Sequence, residues 1–174
     1  MRDLVFTCLL GSGESANQAL RLAHSIRAFG GQFCFNPIWM FSRWREEDLP
    51  ESTRQEIYSL GIRLLTFDID SQVEDFPFAS LVMAASMAET LAVGETSFLA
   101  MLASDTLVLQ PPVAFLLPPG KSFGGCPVHL KLLGSAFSDL PDDFWTLIYH
   151  HCGVNPETVF PMRSVVDEQL VRAY

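Results

Sequence analysis

The chain predicts an α/β fold, with a mainly parallel, twisted sheet and helices on both faces. Three observations point there. Strand-like and helix-like segments alternate from the first residues. The strand-like runs are continuously apolar, as strands covered on both faces are. The 174 residues, 49% apolar and 18% charged, suit one domain over residues 1–174, able to bury roughly 70% of its unfolded surface.

The first strand is "LVFTCLL" (4–10), broken by "GSGE". A helix follows, with Ala16, Ala19, Leu20, Ala23, Ile26 and Phe29 at helical spacing. Ser15 and Gln18 have capping-box spacing, and Gly30-Gly31 can close the helix. "FCFNPIWMFS" (33–42) is the second strand, with Pro37 arguing for an edge, a bulge or two short pieces. Asp48 and Glu51 repeat the capping-box pattern, Pro50 sits in the first turn, and Gly61 ends the second helix.

"IRLLTFDI" (62–69) is the third strand. "SLVMAASMAETLAV" (80–93) is apolar nearly all round, so this helix is expected to be largely buried. "SFLAML" (97–102) is the fourth strand, expected at the centre of the sheet. Beyond Pro112 the order loosens. "CPVHLKLLG" (126–134) is strand-like, "LPDDFWTLIYHHC" (140–152) is a helix begun near Asp139, and "LVRAY" closes the sequence as a strand.

Eleven basic against twenty acidic side chains give a net charge of −9, which disfavours nucleic acid and anionic lipid as partners. Cys8, Cys34, Cys126 and Cys152 lack C-x-x-C spacing, so free thiols in a reducing compartment are expected. "MRDLVFTCLLGSG" has the basic residue, apolar run and small residues of a signal peptide. Its run is short and Asp3 spoils the positive start, which favours a cytoplasmic protein. No apolar stretch reaches the ~18 to 20 residues of a membrane span.

In open parallel sheets, ligands bind outside the carboxyl ends of the strands. "GSGES", "FDID" and "ASDT" all fall at such ends, which gathers Glu14, Asp68, Asp70 and Asp105 near one crevice. The glycines have two readings. They either make a tight strand-to-helix turn, or let Gly11, Ser12 and Gly13 bring backbone N–H groups to a phosphate. The loop lacks the lysine of a P-loop and the third glycine of a dinucleotide fingerprint. Asp68 and Asp70 suit a strand end and the turn after it.

Asp105 lies between two apolar runs, so the chain is expected to continue there as strand. Its carboxylate is either hydrogen-bonded in a kink or a ligand for a hard cation, directed into a cleft bounded by "GSGES". His129 alternates with Val128 and Lys131 and faces either the cleft or the solvent. His150 and His151, being adjacent, should lie on different helix faces. No catalytic pairing follows from spacing.

"ETSFLAMLASDTLVLQPP" resembles the motif region of the nucleotide-diphospho-sugar transferase superfamily, the glycosyltransferases of GT-A fold. There a buried strand leads into an Asp-x-Asp motif, a short apolar strand and a proline. "ALRLAHSIRAFGG", "NPIWMFS", "MAETLAVGETSFL" and "PVHLKLLGS" extend the likeness over most of residues 4–174. The resemblance implies hexosyl transfer from a sugar nucleotide held at the strand ends, and the candidate residues for binding it are Gly11, Ser12, Gly13, Glu14, Asp68, Ser104, Asp105 and His129. It also implies a divalent cation, manganese or magnesium, on Asp105 as the motif's last acid.

Ala103 stands where the motif has its first acid. Family enzymes also continue past a strand like "LVRAY" into an acceptor half. The expectation is therefore a domain cut short on that side, with apolar surface that favours a homo-oligomer. A catalytically silent α/β domain binding nucleotide or protein is the competing function, and an oxidoreductase is disfavoured by the missing fingerprint.

Overall fold

The computed structural model describes residues 2–125, 136–163 and 169–172. Contacts divide the chain into two compact units, residues 1–124 and 125–174. The first unit contains β1 (Arg2–Leu10), α1 (Glu14–Phe29), β2 (Ile38–Ser42), α2 (Glu51–Ser59), β3 (Ile62–Thr66), α3 (Ala79–Ala92) and β4 (Thr96–Leu102). Its four strands run in the order β3-β2-β1-β4, all parallel. Phe6 pairs with Ile38 on one side and Ala100 on the other.

The sheet is covered on both faces because β1 alternates between two apolar clusters. Leu4, Phe6, Cys8 and Leu10 pack with Ala19, Leu20, Ala23 and Ile26 of α1 and Ile57 of α2. Val5 joins Trp39, Phe41 and the buried Ala84 and Ala88 of α3 on the opposite face. The α/β reading of the sequence holds in this unit.

Several expectations are corrected. "SFLAML" is not central, because β1 takes that place and, among the described residues, β4 is the outermost strand on its side. Most of β4 is only half-buried, Ala100 excepted. Continuous apolarity alone does not separate an interior strand from one beside it.

The α3 helix is less buried than its composition suggests. Its small Ala84 and Ala88 face the sheet, whereas Leu81, Val82 and Met83 are exposed, as are Phe76 and Phe78 before it. Neither capping box forms. Gly13 caps α1 and Pro50 caps α2, both without a side-chain hydrogen bond. The second strand begins only after Pro37, the first two residues of its apolar run having gone partly into a 3-10 turn at Gly31–Phe33. Phe29 is exposed at the end of α1.

Two polar side chains tie the loops to this unit. Arg27 donates from Nη1 to the carbonyls of Cys34 (2.7 Å) and Asn36 (2.9 Å), and from Nε and Nη2 to that of Leu60. Burial lowers its pKa from the ordinary guanidinium value, but arginine remains charged at neutral pH. The Ser25 hydroxyl, inside the core, accepts the Val108 N–H at 2.9 Å and donates to Leu22 O at 2.7 Å. Val108 is buried between exposed Leu107 and Leu109. The second apolar run is thus a strap laid along α1. It continues to Pro111, beside Gly31, and to Phe115, whose ring meets Phe6 edge-on.

In the second unit, α4 (Asp143–Cys152) begins where Asp142 Oδ1 accepts the Trp145 N–H at 2.8 Å. Gly153, with φ of 63°, closes it. β5 (Pro161–Arg163) pairs antiparallel with β6 (Leu170–Arg172), so the strand expected in "LVRAY" is present over its first three residues. The strand expected at 126–134 lies outside the described residues. None of the helices among the described residues is long and apolar enough to cross a membrane.

Burial in β1 pushes the Cys8 thiol up from 9.0 to about 12. The folded chain then keeps a proton that the unfolded chain releases, so stability from this group is intact below pH 9.0 and is lost as pH rises toward 12. Unfolding free energy should fall more steeply across that window in the parent than in Cys8→Ala. The difference in slope should approach about 1.4 kcal/mol per pH unit. Equal slopes in denaturant titrations would refute the assignment.

Candidate functional site

The order β3-β2-β1-β4 places a topological switch between β1 and β4. The chain leaves β1 toward β2 on one side, while β4 is added on the other, so the loops at their carboxyl ends diverge. Cys8 pairs with Leu102. Gly11 and Asp105 both come three residues after that pair, in the loops that follow strands roughly 4.8 Å apart. The glycine loop and the Ala103–Ser104–Asp105 triplet therefore stand on the two sides of the place where sheets of this order form a ligand crevice.

The glycines have separate reasons. A Cβ on Gly11 would sit 2.3 Å from Ser15 Oγ, so the turn is too tight there for any side chain. Gly13 has open space but a φ of +56°, which L-residues adopt at a cost. Ser15 N–H returns to Ser12 O (3.2 Å), and Ala16 and Asn17 N–H return to Gly13 O. Among the described residues, the N–H groups of Ser12, Gly13 and Glu14 have no protein acceptor. The three residues are exposed, at the positive end of α1.

Asp105 is not in a strand. β4 ends at Leu102, and Thr106 N–H closes on Ala103 O at 3.0 Å, making a turn with Ser104 and Asp105 at its centre. Asp105 is exposed and Ser104 half-buried. Exposure, rather than a kink or a partner, removes the desolvation cost that an apolar strand would impose. The strap is the reason. Val108 must turn inward to reach Ser25, so the chain reverses at the strand end instead of extending.

The other sequence-selected residues separate. Glu14 pairs with Arg21 on the outer face of α1, both well exposed. Asp68 is exposed just after β3, three strand positions from β4 and so about 14 Å across the sheet. Asp70 makes an Asx turn, its Oδ1 accepting Gln72 N–H at 2.8 Å. His129 lies outside the described residues. His150 and His151 are closer than their adjacency suggested, their rings meeting edge to face at 5.6 Å.

As for a metal, no group of three or more His, Cys, Asp or Glu that could hold one occurs among the described residues. The triplet itself offers one carboxylate, because Ala103 has no donor. That suits a cation carried in with its own oxygen ligands and does not make a protein cage.

A cavity of about 900 Å³ opens at the opposite end of the sheet, where the strands begin. It is lined by residues that the sequence had not marked, among them Arg27, Trp39, Arg63 and Glu95. Charged residues far apart in sequence gave no motif to follow. No family model, curated protein or solved structure matches the chain.

Gly11→Ala should destabilise the first unit by about 1–3 kcal/mol through overpacking, and Gly13→Ala by about 1–2 kcal/mol through its backbone. Asp105→Asn should change stability by less than about 0.5 kcal/mol, as exposed positions do. Chemical denaturation of the three variants checks this. A large loss in Asp105→Asn would mean that its carboxylate supports the fold.

Proposed function

We propose that the β1–β4 crevice binds the diphosphate of a sugar nucleotide, as the resemblance to GT-A glycosyltransferases implies. One observation carries the reading. The uncapped start of α1, with open N–H groups on Ser12, Gly13 and Glu14, lies across from an exposed carboxylate on the neighbouring strand end. The amides suit phosphate oxygens. Asp105 would repel the same anion unless a divalent cation stood between them.

Asp105 is the residue of the triplet able to take such a cation, with Ser104 beside it as a neutral oxygen. The ligand's phosphates and water would supply the remaining coordination, since a hard cation needs six or so oxygens. The bound cation would neutralise charge on the diphosphate.

Binding without glycosyl transfer is the second reading, and Ala103 favours it. Where the family motif has two acids, this turn has one. The residues of the crevice hold a ligand on this reading, and none is assigned to proton transfer or attack.

The test measures binding of uridine and guanosine diphosphate by calorimetry, with and without saturating manganese. At least one should bind the parent about tenfold or more tightly with the metal, and Asp105→Asn should lose that enhancement. If neither nucleotide binds, the site assignment fails. If Asp105→Asn keeps the full enhancement, the carboxylate is not the cation's ligand. Release of free sugar or transfer from the corresponding sugar nucleotides then separates an enzyme from a silent binder.

A further inference from the structure

The cavity at the amino ends of the strands has a chemistry of its own. Its walls bring together Ile38 and Trp39 of β2, Leu60 after α2, and Phe35, which is 89% exposed. Two arginines and one glutamate carry its charge, so the lining is net positive in a chain of net charge −9. The volume of about 900 Å³ falls in the range of small-molecule pockets.

Its two arginines do different things. Arg27 is committed, with Nε, Nη1 and Nη2 all donating to backbone carbonyls. It fixes the floor and adds positive charge. Arg63 lies with its guanidinium carbon 5.5 Å from the centre of the Trp39 ring, and its nearest carboxylate, Glu95, is 3.7 Å away. That separation is longer than the ~2.7–2.9 Å of a charge-assisted hydrogen bond. A guanidinium stacked on an aromatic ring and only loosely ion-paired, with no hydrogen bond to its carboxylate, has N–H groups left for another acceptor.

We propose that this cavity binds a small aromatic carboxylate. The ring lies against Leu60 and the exposed Phe35, while the carboxylate takes the fork of Arg63. A carboxylate matches that fork with two parallel hydrogen bonds. An apolar ring without the anion would leave the fork unused, and a cation would meet the net positive lining. Glu95 competes with the ligand for Arg63, and its removal strengthens binding.

The probe is 2-naphthoate, with protonated 2-naphthylmethylamine as the charge-reversed control. Binding is measured by calorimetry and by the shift of the Trp39 indole N–H resonance. Naphthoate should bind in the sub-millimolar range and move that resonance, and the amine should bind at least tenfold more weakly. Arg63→Gln should weaken naphthoate about tenfold or more, and Glu95→Gln should tighten it about threefold. Both side chains are about half exposed, so the variants should keep the parent's melting temperature. If Arg63→Gln does not fold, Arg63→Lys replaces it and should still weaken binding several-fold, because the charge remains but the fork is lost. Equal affinity for the two probes, no movement of Trp39, no sub-millimolar binding, or indifference to Arg63 or Glu95 would each overturn the proposal.

Discussion

Burial of β1 on both faces is the constraint on which the rest of the first unit depends. Leu4, Val5, Phe6, Thr7, Cys8 and Leu10 are each at most 1% exposed, so the strand needs a layer above, a layer below and a neighbour on each edge. Parallel pairing with β2 and β4 supplies the edges, and α1 and α3 supply the layers. Its polar Thr7 is accommodated, the hydroxyl donating to Ala100 O at 3.2 Å. With β1 fixed in this way, the loop that follows must leave at the carboxyl edge of the sheet, which is why Gly11 and Gly13 come to stand beside the end of β4.

The alternation of elements was legible because each strand run and helix period is local. Leu4–Leu10 and the α1 positions Ala16 to Ile26 needed only their own neighbours to be recognised. The errors share a different cause. The outer position of β4 among the described residues, the exposed Leu81–Met83 face of α3 and the half-lost second strand depend on what lies across space. Side-chain period carries no record of that. The capping boxes failed for a related reason, since Gly13 and Pro50 set the backbone entry before Ser15 or Asp48 could act as caps.

The candidate site was legible in part. The carboxyl-end rule brought the glycine loop and Asp105 together without any contact having to be known. It could not say that β3 stands three strands away from β4, which removes Asp68 from their neighbourhood, nor that Ser25 draws Val108 inward and turns the chain at Asp105. A buried serine in the middle of α1 has no signature in sequence. The cavity at the amino ends was hidden more completely, being assembled from a helix end, a turn and the starts of three strands.

The strap along α1 has a consequence for the turn it creates. β4 holds the chain up to Leu102, and the Ser25 hydroxyl holds it again at Val108. The residues from Ala103 to Leu107 form a short span clamped at both ends, with its own closing hydrogen bond from Thr106. Ordering a free backbone costs about 1–2 kcal/mol per residue, and here folding has already met most of that cost. Anything that lands on the Asp105 turn meets a surface with little conformational entropy left to lose. Loosening the clamp far below, at Ser25, would return that entropy to the turn and weaken the encounter without altering a single group that the visitor touches.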